Sequence, residues 1–471
     1  DSKITVGYSI KGREQESSGK NAYREHIVPC DFIMREGKRM FDEGLVSVMV
    51  GHLDVPSLEL RQNYPSSLSY NVVTNLLQRD LEFEGLIFTD AMNMKGVSGF
   101  KGTDDVNLDA FLAGNDILLF VENIPLAVEK IRNAYKNNIV SEERLALSVK
   151  KILHYKFKAG LNAYKPIEIS NLYNDVNPSE NDALQYQLYE NAITVLKNEN
   201  QILPIKKIEN NRIAYVKLGD DNNSSFVSTL KKYADVTEVS DISIDSLNVK
   251  LKGFDTVIIG YHKSDNVWRN NDFSSKELIW LQEIARNNNV ILDVFAKPYS
   301  LLPITNFDDI EGLIVSYQNN DVAQEVSAEL VFGAIEAKGK LPVSINDSFQ
   351  VNEGLSTIKM NRLGFTTPEN VAMSSEKLAQ IETIAQKAIR EKMAPGIQVL
   401  VARKGKVIYQ KAFGNYTYDS DTKVTNETIF DIASVSKIVG TLPNVMQQYD
   451  QQMINLNTTL AEMVPIFANS D

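Results

Sequence analysis

Strand-length apolar runs alternate with helical stretches through the first third of this 471-residue chain. The apolar runs cover residues 45–50, 85–89 and 116–120. The stretches with helical spacing cover residues 67–81, 106–113, 125–136 and 141–158. Strands separated by helices at this spacing form parallel βα units. The pattern therefore predicts part of a TIM-type (β/α) barrel over residues 1–162, with about three of the eight units that close such a barrel.

A second β/α alternation follows a polar link at residues 163–183. Its strands are predicted at residues 212–218, 255–261, 290–296 and 312–317, and its helices at residues 274–286 and 321–336. This order predicts a doubly wound α/β sandwich domain over residues 184–350. No G-x-G-x-x-G follows a strand and no Walker-type loop occurs, so the sequence gives no support for nucleotide binding.

The third region, residues 374–471, follows a link at residues 351–373 that is rich in Asn, Ser and Gly. A helix is predicted at residues 375–392, before Pro395 and Gly396. Strands at residues 397–403 and 406–413 flank Lys404-Gly405, which predicts a hairpin with a glycine turn. Another helix is expected to begin near Ser434.

Composition excludes several classes of protein. The net charge of −12 argues against nucleic-acid binding, which needs clustered Lys and Arg. No apolar run approaches the roughly 20 residues that cross a bilayer, and no signal-peptide pattern is visible. The single cysteine, Cys30, excludes an intramolecular disulfide and is expected to be a buried hydrophobe. The four scattered histidines (His26, His52, His154 and His262) predict no metal site, and no cofactor is implied.

Asp90 follows the predicted strand Leu86–Thr89. Side chains at the carboxyl ends of parallel barrel strands face the active site. A carboxylate there can attack an anomeric carbon and form a glycosyl-enzyme. The alternative is that Asp90 caps the helix that follows, since Asp is a favoured N-cap residue.

Residues 83–97, FEGLIFTDAMNMKGV, resemble the nucleophile segment of glycoside hydrolase family 3. Further resemblances to that family follow in its order at residues 47–56, 113–119, 190–198, 203–205 and 339–344. The resemblance implies a retaining glycosidase with Asp90 as nucleophile. T-D-A-x-x-M is similar to the β-N-acetylglucosaminidase branch, because Ala91 stands where the β-glucosidase branch usually has Trp. That implies a β-N-acetylhexosaminidase of the exported bacterial cell envelope, acting on N-acetylglucosamine units of peptidoglycan or chitin.

The family's K-H-F-P-G-H-G loop, which supplies a histidine acid/base, does not occur here, and residues 1–40 do not match the family. The acid/base is therefore unassigned. His52 lies at a strand end, where it is either a substrate-binding residue or a hydrogen-bonded structural histidine. His26 lies in the unmatched segment and is not proposed as a site residue.

Ser434 and Lys437 form an S-x-x-K motif, in which the serine attacks a carbonyl and the lysine helps to deprotonate it. The same spacing occurs at Ser17/Lys20, Ser148/Lys151, Ser228/Lys231, Ser356/Lys359 and Ser374/Lys377, so the spacing alone is uninformative. Residues 395–403 and 428–437, however, resemble the class C β-lactamase and esterase family. The alternative is that Ser434 is a helix N-cap. Neither of the family's further motifs, Y-x-N and H/K-T-G, follows in the sequence. Ser434 and Lys437 are therefore expected to correspond to the family's catalytic pair and yet to be non-functional in this chain.

The leading hypothesis is a retaining β-N-acetylhexosaminidase fused to the N-terminal part of an α+β serine β-lactamase-like domain. We expect this chain to be a fragment of that protein, with little or no turnover. One alternative is a serine acyl hydrolase acting through Ser434 and Lys437. The other is a non-catalytic carbohydrate-binding module.

Overall fold

The computed structural model describes residues 38–39, 41–100, 105–266 and 271–467. Cys30, His26, Ser17 and Lys20 lie outside these residues. The chain divides into two compact units between Glu168 and Ile169. Among the described residues, no helix has the length and apolar character needed to cross a membrane.

The first unit contains a parallel sheet in the order β1-β2-β3. Its strands are β1 (Ser47–Val50), β2 (Leu86–Ala91) and β3 (Ile117–Leu119). Its helices are Asn71–Asp80, Lys95–Ser98, Val106–Ala113, Ile124–Lys136 and Glu142–Lys158, with short 3₁₀ turns at Ser66–Leu68 and Leu161–Ala163. The predicted parallel βα pattern is confirmed, and the described residues form an open three-stranded sheet.

Alternation along the strands gives this sheet two unlike faces. Val50 and Ile87 are buried against the helix Asn71–Asp80, in a cluster that includes Val73 and Leu77. Leu86, Phe88 and Asp90 point to the opposite face and are only partly buried. Asp90 therefore lies on the more open face of β2.

A buried polar network anchors the helix Glu142–Lys158 beneath the sheet. The Asp116 carboxylate accepts hydrogen bonds from the Ile87 N–H at 3.0 Å and from the Ser148 hydroxyl. Lys151 Nζ lies 3.3 Å from Asp116 Oδ2 and donates to the Gly85 carbonyl. Ser148 and Lys151, one of the S-x-x-K matches, thus have a structural role.

The second unit contains a six-stranded sheet in the order β4-β9-β8-β7-β5-β6. Its strands are β4 (Thr194–Asn198), β5 (Ile213–Gly219), β6 (Val236–Glu238), β7 (Thr256–His262), β8 (Val290–Phe295) and β9 (Ile310–Val315). Its helices are Leu172–Val176, Ser179–Ala192, Ser224–Leu230, Ile244–Leu251, Ser275–Asn287 and Asp321–Val331. Only β4 pairs antiparallel; the other pairings in this sheet are parallel.

Two hydrophobic clusters form the core between this sheet and its helices, and the strands contribute side chains to both clusters. The predicted doubly wound arrangement is confirmed, with β4 as an antiparallel edge strand. The helix predicted at residues 321–336 ends at Val331, because Gly333 turns the chain at a φ of +70°.

A smaller sheet in the same unit has the order β10-β12-β11. Its strands are β10 (Gly364–Phe365), β11 (Gly396–Arg403) and β12 (Lys406–Gly414). The helices around and after it are Ser375–Arg390, Leu442–Asp450 and Leu460–Met463. β11 and β12 pair antiparallel, which confirms the predicted hairpin. Lys404 and Gly405 both have positive φ, as a two-residue turn of this type requires.

Candidate active site

Asp90 lies where β2 extends past the end of β1. The last pair between these strands is Val50 with Thr89. On the other side, the pairing of β2 with β3 shifts between Phe88 and Ala91. The buried Thr89 hydroxyl accepts the Leu119 N–H at 3.0 Å within this irregularity. Such local breaks in a ladder re-aim side chains next to active sites.

The Asp90 carboxylate is held close to its own backbone. Its Oδ1 accepts the Ala91 N–H at 2.8 Å. The helix that follows begins at Lys95, with Met94 as its N-cap residue and without a side-chain cap. The alternative role of Asp90 as a helix cap is therefore wrong. The role of Asp90 as a nucleophile stays a prediction.

His52, in the loop that follows β1, makes two hydrogen bonds inside the protein. Its Nδ1 lies 2.6 Å from the Ser67 hydroxyl oxygen, and its Nε2 lies 3.0 Å from the Ala91 carbonyl oxygen. Burial lowers the pKa of His52, although the Ala91 carbonyl and the Asp90 charge act in the opposite direction. His52 is therefore a hydrogen-bonded histidine within the protein, which is one of the two alternatives that the sequence left open. Direct contact of His52 with a sugar stays a prediction.

An ion pair that the sequence analysis missed lies in the same loop. Glu59 is 3% exposed and accepts two hydrogen bonds from the Arg61 guanidinium, at 2.9 and 2.8 Å. This pairing and the Ser69 hydroxyl lower the pKa of Glu59 to about 2, against the effect of burial. The guanidinium stacks 3.5 Å over the Tyr64 ring, and Tyr64 belongs to the same buried cluster as Met92. The E-x-R spacing was the available sequence signal.

Ser434 and Lys437 are brought together by a single turn. Lys437 Nζ donates to the Ser434 hydroxyl at 2.9 Å. Ser434 lies in the turn Ala433–Val435, where Ala433 has a φ of +43°. Ile432 precedes that turn, and no side chain caps it, so the N-cap alternative for Ser434 is wrong. Both site residues are exposed, so the described residues do not enclose this pair.

Two other S-x-x-K matches have ordinary structural roles. Ser374 caps the helix Ser375–Arg390 by accepting the Lys377 N–H. Lys231 forms an exposed ion pair with Glu238, while Ser228 donates to the Ser225 carbonyl. Among the described residues, no group of three or more His, Cys, Asp or Glu is arranged to hold a metal ion.

Comparison with known proteins finds a family match in each of two parts of the chain. Residues 37–155 match the model of the glycosyl hydrolase family 3 N terminal domain, and residues 385–471 match the β-lactamase model. Both resemblances found in the sequence are therefore confirmed.

Similar curated proteins include Beta-hexosaminidase A of Pseudoalteromonas piscicida, 24% identical over 357 residues, which cover 64% of this chain and 58% of that protein. Another is a β-N-acetylglucosaminidase/β-glucosidase of Cellulomonas fimi, 24% identical over 35% of this chain and 30% of that protein. A solved family 3 β-N-acetylglucosaminidase from Paenibacillus sp. str. FPU-7 superposes with a TM-score of 0.52 and 21% identity, covering 66% of this chain and 60% of that one. The chain thus spans less than two thirds of these relatives.

Proposed function

We propose that Asp90 is the nucleophile of a retaining glycosidase, from the premise that residues 37–155 match the glycosyl hydrolase family 3 N terminal domain and residues 385–471 match the β-lactamase model. The observation that carries the proposal is the position of Asp90. It is the penultimate residue of β2 and lies on the more open face of the sheet, while its neighbour Thr89 is buried on the other face. Carboxyl ends of parallel barrel strands are where such catalytic groups lie.

The proposed reaction has two steps. An Asp90 carboxylate oxygen attacks the anomeric carbon, the bond from that carbon to the leaving oxygen breaks, and a general acid protonates that oxygen. A water molecule then attacks the same carbon, loses a proton to the now basic group, and releases Asp90 as a carboxylate. The acid/base group is not assigned to a described residue.

The proposed substrate is a terminal β-linked N-acetylglucosamine. Ala91, directly after Asp90, and the names of the hexosaminidase relatives support this choice. The names of other relatives include β-glucosidase and putative β-xylosidase, so those sugars are the alternatives to exclude. Within this proposal, residues 1–162 contribute to the barrel, residues 184–350 form the family's second domain, and residues 374–471 belong to the serine hydrolase-like domain.

Covalent trapping with fluorinated donors tests both the nucleophile and the sugar. We expect the 2-acetamido donor to add one glycosyl unit to the chain, faster than the corresponding glucosyl or xylosyl donor. Asp90→Asn should abolish the adduct, whereas the matched control Asp80→Asn, at the exposed end of a helix, should keep it. Faster trapping by the glucosyl or xylosyl donor would refute the sugar assignment. Saturable sugar binding without any adduct would favour the carbohydrate-binding alternative.

A second candidate function is acyl transfer at Ser434, because Lys437 Nζ lies 2.9 Å from its hydroxyl. A fluorescent penicillin tests it by acylation in a denaturing gel. Labelling that is lost in Ser434→Ala and kept in Ser228→Ala, an exposed serine with the same S-x-x-K spacing, would support acyl transfer. Equal labelling of the two variants would exclude it.

A further inference from the structure

The hydrogen bonds of His52 define which ring nitrogen carries the proton. The partner of Nε2 is the Ala91 carbonyl oxygen, at 3.0 Å. A carbonyl oxygen only accepts hydrogen bonds, so Nε2 must carry the hydrogen. In the neutral ring, Nδ1 then has only a lone pair. The Ser67 hydroxyl, 2.6 Å away, must therefore be the donor to Nδ1.

Ser67 is itself fixed inside the first unit. Its side chain is fully buried, and its carbonyl oxygen accepts the Asn115 amide at 2.8 Å. The neighbouring Ser66 hydroxyl donates to the Gly51 carbonyl at 2.8 Å and accepts the Leu53 N–H at 3.2 Å. The serine pair therefore holds the turn that carries His52 on both sides of the histidine.

The other end of this chain of hydrogen bonds reaches the Asp90 carboxylate. The peptide between Ala91 and Met92 is held twice, by His52 at its carbonyl and by the Leu119 carbonyl at its N–H, at 2.8 Å. The preceding peptide donates the Ala91 N–H to Asp90 Oδ1 at 2.8 Å. Because the Ala91–Met92 peptide is fixed at both its carbonyl and its N–H, rotation about the backbone bonds of Ala91 is restricted. The Ala91 N–H therefore holds the Asp90 carboxylate in one direction.

We propose that His52, kept in the Nε2–H form by the Ala91 carbonyl and held at Nδ1 by the Ser67 hydroxyl, is a positioning residue that orients the Asp90 carboxylate through Ala91. The role rests on the proposed function of Asp90 as nucleophile. It differs from substrate binding, because both ring nitrogens are already engaged by protein groups. Displacement of a reacting group by about 1 Å can cost about 100-fold in rate. A histidine that holds Asp90 only through Ala91 can therefore affect the reaction rate.

Two readouts on the full chain test the proposal. The first is NMR of protein labelled with ¹⁵N-histidine, in which the His52 signal is assigned by its loss in His52→Gln. We expect the Nε2–H form of the neutral ring in the wild-type protein and also in Ser67→Ala, because the Ala91 carbonyl that accepts from Nε2 is unchanged there. A dominant Nδ1–H form in the wild-type protein would overturn the proposal.

The second readout is the rate of covalent trapping at saturating fluorinated N-acetylglucosamine donor. We expect His52→Ala to slow trapping by about 10- to 100-fold while the donor concentration at half-maximal rate changes little. His52→Gln, whose amide can both donate and accept, should recover most of the rate. His154→Ala, which removes an exposed histidine of the same unit, is the matched control and should leave the rate unchanged.

The outcomes separate this proposal from the proposed function. Trapping of the wild-type protein with an unchanged rate in His52→Ala would overturn the positioning role and leave Asp90 as nucleophile. A higher half-maximal donor concentration with an unchanged maximal rate would show substrate binding instead. Absence of trapping in the wild-type protein would refute the nucleophile, and the positioning role with it.

Discussion

Lys406 Nζ lies 2.7 Å from Glu329 Oε2, which joins the first residue of the hairpin strand β12 to the helix Asp321–Val331. Glu329 is fully buried, and its other oxygen accepts the Phe365 N–H at 2.7 Å. Glu190 completes the cluster, 3.1 Å from the same ammonium. Ion pairs of Lys406 with Glu190 and Glu329 thus connect the small sheet to two helices that pack on the six-stranded sheet.

Removal of Lys406 should destabilise the second unit strongly. Lys406→Met leaves the Glu329 carboxylate buried without its cation, which typically costs about 3–5 kcal/mol. Urea unfolding should show a correspondingly lower midpoint. Lys411→Met is the matched control on the same strand, because its pair with Glu382 is exposed, and its midpoint should stay near that of the wild-type protein. Equal midpoints for the two variants would contradict the structural role of Lys406.

Asp293 should make the stability of the second unit fall with rising pH. It is fully buried on β8, bonded to the hydroxyls of Ser316 and Ser327, and burial raises its pKa to about 7. Between its ordinary value of 3.8 and about 7, the folded protein holds a proton that the unfolded chain releases, so stability is lost as pH rises through this range.

Asp293→Asn should remove this dependence. At about 1.4 kcal/mol for each pKa unit, the wild-type protein should lose on the order of 4 kcal/mol relative to the variant between pH 4 and pH 8. The measurement is the free energy of unfolding of both proteins across that range. Parallel curves would mean that Asp293 does not titrate in the folded protein over this interval.

Thr89 should support the irregular pairing beside Asp90. Thr89→Val keeps the shape of the side chain but removes the acceptor of the Leu119 N–H, which should cost about 1–3 kcal/mol if that group stays buried. Thr89→Ser retains the hydroxyl and is the control. Thermal unfolding should rank the valine variant below the serine variant, and the reverse order would argue that packing of the methyl group matters more than the hydrogen bond.

Glu59 should hold the loop that follows β1. Glu59→Gln weakens the paired contact with Arg61, and we expect a loss of about 1–2 kcal/mol, moderated because the Arg61 side chain is half exposed. Because the pKa of Glu59 is lowered to about 2, the wild-type contribution should be complete above about pH 4.5 and fade as pH falls toward 2. Hydrogen exchange at the amides of residues 59–64 should accelerate in Glu59→Gln and not in Glu82→Gln, an exposed glutamate of the same unit.

The sequence predicted elements whose evidence is local. Alternation of apolar runs located β2 and β7, and the Lys404-Gly405 turn located the hairpin, because strand length and turn chemistry depend on neighbouring residues. The predicted links contain structure that depends on distant partners. β10 forms inside residues 351–373 by pairing with β12, and Arg362 donates to the carbonyls of Ile205 and Phe332.

In the candidate site, too, the sequence predicted the features that depend on neighbouring residues and not those that depend on distant ones. The position of Asp90 at a strand end could be predicted, because it follows from the order of apolar and polar residues. The contacts of His52 with Ser67 and Ala91 join residues 15 and 39 positions away, and nothing in the local sequence specifies such pairs. The Glu59–Arg61 pair was close in sequence, but its burial depends on Ser69 and Tyr64.

The most direct test of the central claim is peptide mass spectrometry of the chain after reaction with a fluorinated N-acetylglucosamine donor. We expect one glycosyl unit on the peptide that carries Asp90, with fragment ions assigning it to that carboxylate. A glycosyl unit on another carboxylate, with the Asp90 peptide unmodified, would show that Asp90 is not the nucleophile.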